Sequence, residues 1–174
     1  ALKVSMDDKP IDRNSALFRM FPVQSILPSA ADFLLGPPSV RRSQLDWVLF
    51  HVEPDFLVTA HQYKKALKQR NFWLRSSSFS VSSPDPWADP LVNAGVAIEA
   101  WRSAAVDLIK PIFSEIVDGV DERLVCAAAY RDGGMPSRGE GLASLAARRS
   151  SDRLIGATAL GPQRADLLFT NSLG

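Results

Sequence analysis

Apolar positions recur at helical spacing through the middle of the chain. They do so over about 39–51, and again over about 89–116, where they lie on one side of the predicted helix. Between these runs, Pro54 opens a second helix that is expected to reach about Arg75. Pro111 should kink the third helix or end its regular part, because proline has no backbone N–H to donate. The middle of the chain is therefore predicted to be helical.

The first part of the chain shows a pattern with the two-residue period of strands. Polar and apolar residues alternate over 2–11 and are interrupted by Asp7 and Asp8, which predicts a hairpin. A short strand is expected over 22–27, and a turn of helix over 29–35. The chain is thus predicted to begin with strands.

After the helices the pattern returns to strands. Residues 123–130 are predicted to form a strand, and the glycine-rich stretch 131–141 a long turn. A short helix over 142–153 and a final strand over 158–169, interrupted at Gly161, complete the order.

The order of elements predicts the fold class. Strands, then helices, then strands indicate an α+β fold in which a helical block is inserted into a β-containing layer. The predicted division is 1–38, 39–119 and 120–174. The chain starts without Met, and its last residues form a turn with nothing to pair the preceding strand, so we expect a piece of a longer protein.

The composition limits the kinds of function that the chain can have. Lys plus Arg number 20 and Asp plus Glu number 19, so any contact with nucleic acid must come from locally clustered charge. The single Cys126 cannot form an internal disulfide and has no Cys or His partner at ligand spacing, which argues against a structural zinc site. No apolar stretch reaches the roughly 20 residues of a membrane span. A cytoplasmic protein is expected.

Three blocks of sequence carry a family resemblance. Residues 28–46 contain a Pro, an apolar pair, a Gly-x-Pro turn, paired arginines and Leu-Asp, and 63–71 end in Leu-Lys-Gln-Arg-Asn. Residues 161–167 read Gly-Pro-Gln-Arg-Ala-Asp-Leu. In content and order these blocks resemble the RecF family, whose pattern has a histidine where this chain has Gln163. The resemblance spans almost the whole chain and is weakest between 76 and 140.

The resemblance implies a fold and a function. It implies part of an ABC-type ATPase lobe with antiparallel strands, in which 1–38 carry the Q-loop strand, 39–119 form a helical arm lobe, and 120–174 return to the ATPase lobe. It also implies an SMC-like, ATP- and magnesium-dependent DNA-binding protein of recombinational repair and replication. Such a protein recognises gapped DNA, forms an ATP-dependent homodimer, and helps RecO and RecR to load RecA.

Gln24 occupies the position of the Q-loop glutamine in this resemblance. There it would contact the catalytic magnesium and sense the γ-phosphate, since a neutral amide can ligate a hard cation through its oxygen without adding charge. Apart from the resemblance, Gln24 is an ordinary polar residue at a strand end. It is predicted to bind both cofactor and metal.

Two groups of basic residues are candidate DNA contacts. Arg41 and Arg42 lie near a helix start, where cations oppose the helix dipole, which points to an external anion or to an ion pair with Asp46. The second group lies on the second helix, where it is either a DNA-binding patch or an ordinary solvated face. Its members are Lys64, Lys65, Lys68 and Arg70.

The last block contains a charged pair. Arg164 and Asp166, two positions apart on the expected strand, should share one face. There they would brace the sheet against the helices or reach a dimer interface. Gln163 in place of histidine weakens any acid-base role at that position.

Missing motifs limit the activity expected of this chain. It has no Gly-x-x-x-x-Gly-Lys-[Ser/Thr] loop and no apolar strand ending in Asp-Asp or Asp-Glu, so it is not expected to hydrolyse ATP alone. Residues 137–141 look like an ABC signature but precede the Gly-Pro-Gln-Arg block, and are interpreted as a flexible turn. The alternative function is a structural or protein-interaction lobe without DNA affinity of its own.

Overall fold

The computed structural model describes residues 5–6, 9–10, 18, 22–23, 25, 28–121 and 125–171. Near the start, strand β1 (Ser5–Met6) pairs antiparallel with β2 (Lys9–Pro10). The predicted hairpin is confirmed for these residues. A 3-10 turn (Pro28–Ala31) and a short helix α1 (Asp32–Leu35) follow.

The expected strand over 22–27 is not found at its described positions, which are 22–23 and 25 and have no regular secondary structure. Pro22 lacks the N–H that a sheet ladder requires, and this gives a physical reason for the difference. The prediction is wrong for these three positions.

Three long helices form the middle of the molecule. They are α2 (Pro38–Val52), α3 (Phe56–Arg75) and α4 (Ala88–Val120). Pro38 is the first residue of α2, a position where the missing N–H costs no helical hydrogen bond. The predicted helices are confirmed, but α4 does not end at Pro111, which lies inside it.

The second set of strands forms a two-stranded antiparallel sheet. Strand β3 (Cys126–Arg131) pairs with β4 (Asp166–Asn171), with Arg131 opposite Asp166. Between them lie helices α5 (Arg138–Ala147) and α6 (Arg149–Ile155) and a second 3-10 turn (Pro162–Arg164). This sheet is a pair of sequence-distant strands packed against helices.

Three predictions in this region are wrong. The single helix expected over 142–153 is two helices, and the first begins earlier because Ser137 caps it: its Oγ accepts from the backbone N–H of Glu140 and donates to the Glu140 carboxylate at 2.6 Å. Residues 137–141 are therefore a helix start and not a flexible turn. The strand expected from 158 begins only at Asp166, since Gly161 has a φ of 119° and leads into the 3-10 turn.

The core has two clusters. The larger one packs side chains of all three long helices against Met135, Leu145 and Leu160. The smaller one lies under the sheet and joins Leu45, Val106, Ala128 and Leu167. Because α4 contributes to both clusters, the helical block and the sheet are packed together. No helix of the described part of the chain is long and apolar enough to cross a membrane.

Candidate nucleic-acid interface

Helix α3 carries a basic surface that we call the lysine face, formed by Lys64, Lys65 and Lys68. All three side chains are exposed. Lys64 and Lys68 are four residues apart and so lie one above the other, with Lys65 beside them. None of the ion pairs found among the described residues involves these lysines. The lysine face therefore presents free positive charge to solvent.

Arg70, predicted as the fourth member of this patch, lies in the interior. Its side chain is 0% exposed; Nε lies 2.7 Å from Asp85, and Nη1 lies 2.7 Å from Asp152 and 2.8 Å from Thr158. Residues two apart on a helix are about 200° apart, so Arg70 lies on the side opposite Lys68. The expectation of a DNA contact at Arg70 is corrected, because this guanidinium is fully enclosed by protein.

Arg41 is also occupied inside the protein. Its Nε lies 2.8 Å from Oδ1 of Asp166 and its Nη2 3.1 Å from Oδ2, while Nη1 donates to the carbonyls of Leu34 and Gly36 at 3.2 and 2.8 Å. The hydrogen bonds from Arg41 hold the pKa of Asp166 below its ordinary value. An anion outside the protein would have to displace this buried pair.

Asp46 is not the partner that the sequence suggested for the paired arginines. It accepts from Arg102 on α4, from Nε at 2.9 Å and from Nη2 at 3.0 Å. Arg41 and Asp46 are five residues apart, so they face different directions around α2. The Arg–Asp pairing expected within one helix is instead made between helices, and Arg41 pairs with a strand.

Arg42 is half-buried, so it is less enclosed than Arg41 and less exposed than the lysine face. Its Nη1 donates to the carbonyl of Ala165 at 2.8 Å. Burial lowers the pKa of its guanidinium, and the positive charge of Arg102 nearby lowers it further. Arg42 lines a cleft between α2, α3 and the second 3-10 turn, with Lys64 at the same cleft. Of the paired arginines, Arg42 is the one that faces an opening.

The last motif divides into an exposed and a buried part. Arg164 ends the second 3-10 turn and is exposed, while Asp166 begins β4 and is 3% exposed. They do not share a strand face, because the strand starts after Arg164, so this expectation is wrong. Gln163 accepts from the Tyr63 hydroxyl and donates to the carbonyls of Thr158 and Leu160 at 3.2 and 2.9 Å. Its amide holds the 3-10 turn against α3.

Sequence reasoning missed several buried charged residues. Glu99 accepts from the Tyr130 hydroxyl and from the Gly133 N–H at 2.7 Å, and Arg102 donates to the Pro162 carbonyl at 2.7 Å. Glu99 and Arg102 are 4% and 5% exposed. The available signal was their position within the apolar run of α4, where a charged residue needs a partner. These groups join α4 to β3 and to the second 3-10 turn.

A cluster of potential metal ligands is not found in the described part of the chain. No group of three or more His, Cys, Asp or Glu residues there could hold a metal ion. Gln24, predicted to contact magnesium and nucleotide, lies outside the described residues.

Relatives of known name are similar to the chain over most of its length. No family model matches the chain. The DNA replication and repair protein RecF of Pseudomonas fluorescens (strain Pf0-1) is 35% identical over 165 residues, which is 95% of this chain and 45% of the relative. RecF of Azotobacter vinelandii is 35% identical over 166 residues, with the same coverage. The chain belongs to the RecF family. It spans about half the length of these RecF relatives.

Solved RecF structures share the fold. The recombination mediator protein RecF of the RecFOR pathway, in a form described as RecF-ATPrS, aligns with a TM-score of 0.81 at 17% identity, over 94% of this chain and 47% of that one. A form described as RecF-ATP gives a TM-score of 0.82 at 17% identity, with 97% and 48% covered. The predicted RecF resemblance and α+β class are confirmed.

Proposed function

We propose that this RecF-family chain contacts the phosphate backbone of DNA through the lysine face of α3, in DNA replication and repair. The observation that carries the proposal is the contrast within one helix. Lys64, Lys65 and Lys68 are exposed and lie outside the ion pairs of the described residues, whereas Arg70 is fully enclosed and paired. Exposed lysines in one row can neutralise successive phosphates without breaking any internal contact.

Membership of the RecF family supports a more specific proposal. We propose that a longer RecF-type protein containing this chain works in recombinational repair in the cytoplasm and in the SOS response, recognising gapped DNA and loading RecA together with RecO and RecR. ATP and magnesium are the proposed cofactors of that longer protein, with Gln24 as a contact, and none is proposed for the chain alone. Arg164, exposed at the end of a turn, is proposed to face an ATP-dependent dimer interface.

The three-part division of the chain stays part of this proposal. Residues 1–38 and 120–174 would belong to the ATPase lobe, and 39–119 to the arm lobe. The position of the lysine face on α3 supports a role of the arm in DNA contact. Arg41 and Arg70 are left out of the proposed DNA contacts, since both are buried in ion pairs.

A second candidate function is a protein-interaction lobe without DNA affinity of its own. One observation favours it: Leu108, Ile112, Ile116 and Val120 follow one another every four residues along the end of α4, and each is more than half exposed. An exposed apolar row of this kind is typical of a surface that packs against another protein part. The two functions predict opposite results in a binding experiment.

That experiment is a fluorescence-anisotropy titration of a labelled single-stranded oligonucleotide at several salt concentrations. The chain should bind, and its affinity should fall with salt. Replacing Lys64, Lys65 and Lys68 together with alanine should lower the slope of log affinity against log salt by about 2, at ~0.7 per lost phosphate contact. Lys110→Ala is the control, since Lys110 lies on α4 with a half-exposed side chain that pairs with Asp107. Undetectable or salt-independent binding would favour the interaction lobe.

A further inference from the structure

The cleft between α2, α3 and the second 3-10 turn has a volume of about 260 Å³. Its α2 wall carries Ser39, Arg42 and Ser43, and its α3 wall carries Tyr63 and Lys64. A water molecule occupies about 30 Å³ of liquid volume, so the space accommodates a small polyatomic group with part of its hydration. The cleft opens on the surface beside the lysine face.

The charges in this cleft do not balance. Arg42, Lys64 and Arg102 line it against one carboxylate, that of Asp46. Arg102 already makes two hydrogen bonds to Asp46, at 2.9 and 3.0 Å. Within the described part of the chain, Arg42 and Lys64 are therefore left with no carboxylate of their own. The excess charge in the cleft is positive.

Arg42 keeps most of its donors free for a ligand. The one hydrogen bond it makes to another described residue runs from Nη1 to the Ala165 carbonyl at 2.8 Å, and a guanidinium has five N–H groups. Burial and the neighbouring Arg102 lower the pKa of Arg42 by more than Asp166 and Asp46 raise it, so its charge is held in an unfavourable place. A bound anion would relieve both effects, because it would solvate the guanidinium and screen the repulsion.

The floor of the cleft is fixed by neutral groups. The Tyr63 hydroxyl donates to Gln163, whose amide N–H groups bond the carbonyls of Thr158 and Leu160. These side chains are therefore already occupied and hold the shape of the cleft without adding charge. Ser39 and Ser43, both exposed on α2, supply hydroxyl donors at the same wall.

We propose that this cleft is an anion subsite that binds one phosphate group, with Arg42 as the forked donor and Lys64 at the rim. The subsite rests on the proposed DNA contact and specifies one phosphate position within it. Lys64 belongs both to the cleft and to the lysine face, and Lys68 lies one helical turn away, about 6 Å along α3. The phosphate is therefore a phosphodiester of a nucleic acid strand that continues along the lysine face. Arg42 anchors that strand at one end.

The test uses the 174-residue chain with Arg42→Gln and Arg42→Lys, and Lys110→Ala as control. Affinity for a labelled single-stranded oligonucleotide is measured across salt concentrations. Arg42→Gln should weaken binding about tenfold and lower the salt slope by about 0.7, while Arg42→Lys should keep the slope but bind more weakly than the parent chain, because lysine lacks the fork. An Arg42→Gln chain that binds DNA with the parent affinity and slope would overturn the subsite while leaving the lysine face intact.

A second measurement separates the sources of the phosphate. Inorganic phosphate is titrated against the chain and against Arg42→Gln, followed by nuclear magnetic resonance of the backbone amides of Ser43 and Lys64, which line the cleft in both chains. Saturable shifts that are lost in the variant support the subsite, even if no DNA binds and the lysine face fails as a DNA contact. No shift in the parent chain, together with an unchanged oligonucleotide affinity in the variant, would overturn it. If Arg42→Gln unfolds, Lys64→Ala is measured in the same way, since Lys64 is exposed and makes no ion pair with a described residue.

Discussion

Arg70 has the same charge as its helical neighbours on α3 but a different environment. It lies between Asp85 and Asp152, whose side chains are 2% and 0% exposed. A charge placed there is stable only because both carboxylates are within hydrogen-bond distance. The contrast with Lys68, two residues earlier, depends on the direction each side chain takes from the helix. At the scale of single residues, charge alone does not predict what a side chain contacts.

Removing the Arg70 charge should strongly reduce the free energy of unfolding. Arg70→Met keeps a long side chain but leaves Asp85 and Asp152 buried without a cation. Its free energy of unfolding, from urea denaturation, should fall by about 3–5 kcal/mol. Lys68→Met on the same helix is the matched control and should change the free energy by no more than about 0.5 kcal/mol. Equal effects of the two substitutions would mean that Arg70 is not enclosed as described.

At the scale of elements, α2 and β4 are joined by the Arg41–Asp166 pair. Asp166 is 3% exposed and lies opposite Arg131 at the end of the strand ladder. Arg131 is 3.6 Å away but its side chain is 60% exposed, so it adds less than Arg41. The pair fixes the first turn of the long helical block to the sheet. It replaces the partner Asp46, which sequence spacing had suggested.

Acid should weaken this contact. The folded pKa of Asp166 lies below the ordinary value of 3.8, because Arg41 donates to the carboxylate. Its contribution to stability is therefore present above pH 3.8 and lost as the pH falls through the lower folded pKa. Asp166→Asn should lower the free energy of unfolding at pH 7 by about 3 kcal/mol, and the difference from the parent chain should shrink in acid.

The measurement is urea denaturation at a series of pH values. Asp107→Asn is the control, because Asp107 pairs with Lys110 on the surface, and it should leave the stability nearly unchanged. A difference between Asp166→Asn and the parent chain that grows as the pH falls would contradict the assignment of this carboxylate.

Elements were predictable where local pattern decides them. The three long helices follow from periodicity and, for α3, from Pro54, and the structure places them within a few residues of the prediction. The predictions are wrong where a single contact sets the end of an element. The start of α5 depends on the Ser137 cap, and the late start of β4 depends on Gly161. Such contacts leave little periodic signal in the sequence.

At the scale of the whole molecule, α4 ties the helices and the sheet into one packed unit. Ile98 lies in the larger core cluster and Val106 in the smaller one. The buried groups Glu99 and Arg102 lie between them along the helix and bond to β3, α2 and the second 3-10 turn. The helical block, fixed in this way, holds the lysine face at a set position relative to the sheet.

The candidate site was only partly predictable from sequence. The three lysines follow from spacing on one helix, and the structure leaves them exposed. Which arginine faces outward did not follow, because it depends on partners more than 100 residues away: Asp166 encloses Arg41, while Arg42 reaches Ala165 and the cleft. Family resemblance supplied the fold, and long-range packing decided which basic residues are available.

If DNA lies along the lysine face, as we propose, it should shield the three lysines from acetylation, which mass spectrometry detects residue by residue. The chain is treated with an amine-acetylating reagent with and without a saturating oligonucleotide, at low salt. Lys64, Lys65 and Lys68 should be protected by DNA, and Lys110, half-exposed on α4, should react equally in both samples. Equal modification of all four lysines under conditions where DNA is bound would show that DNA does not lie along the lysine face.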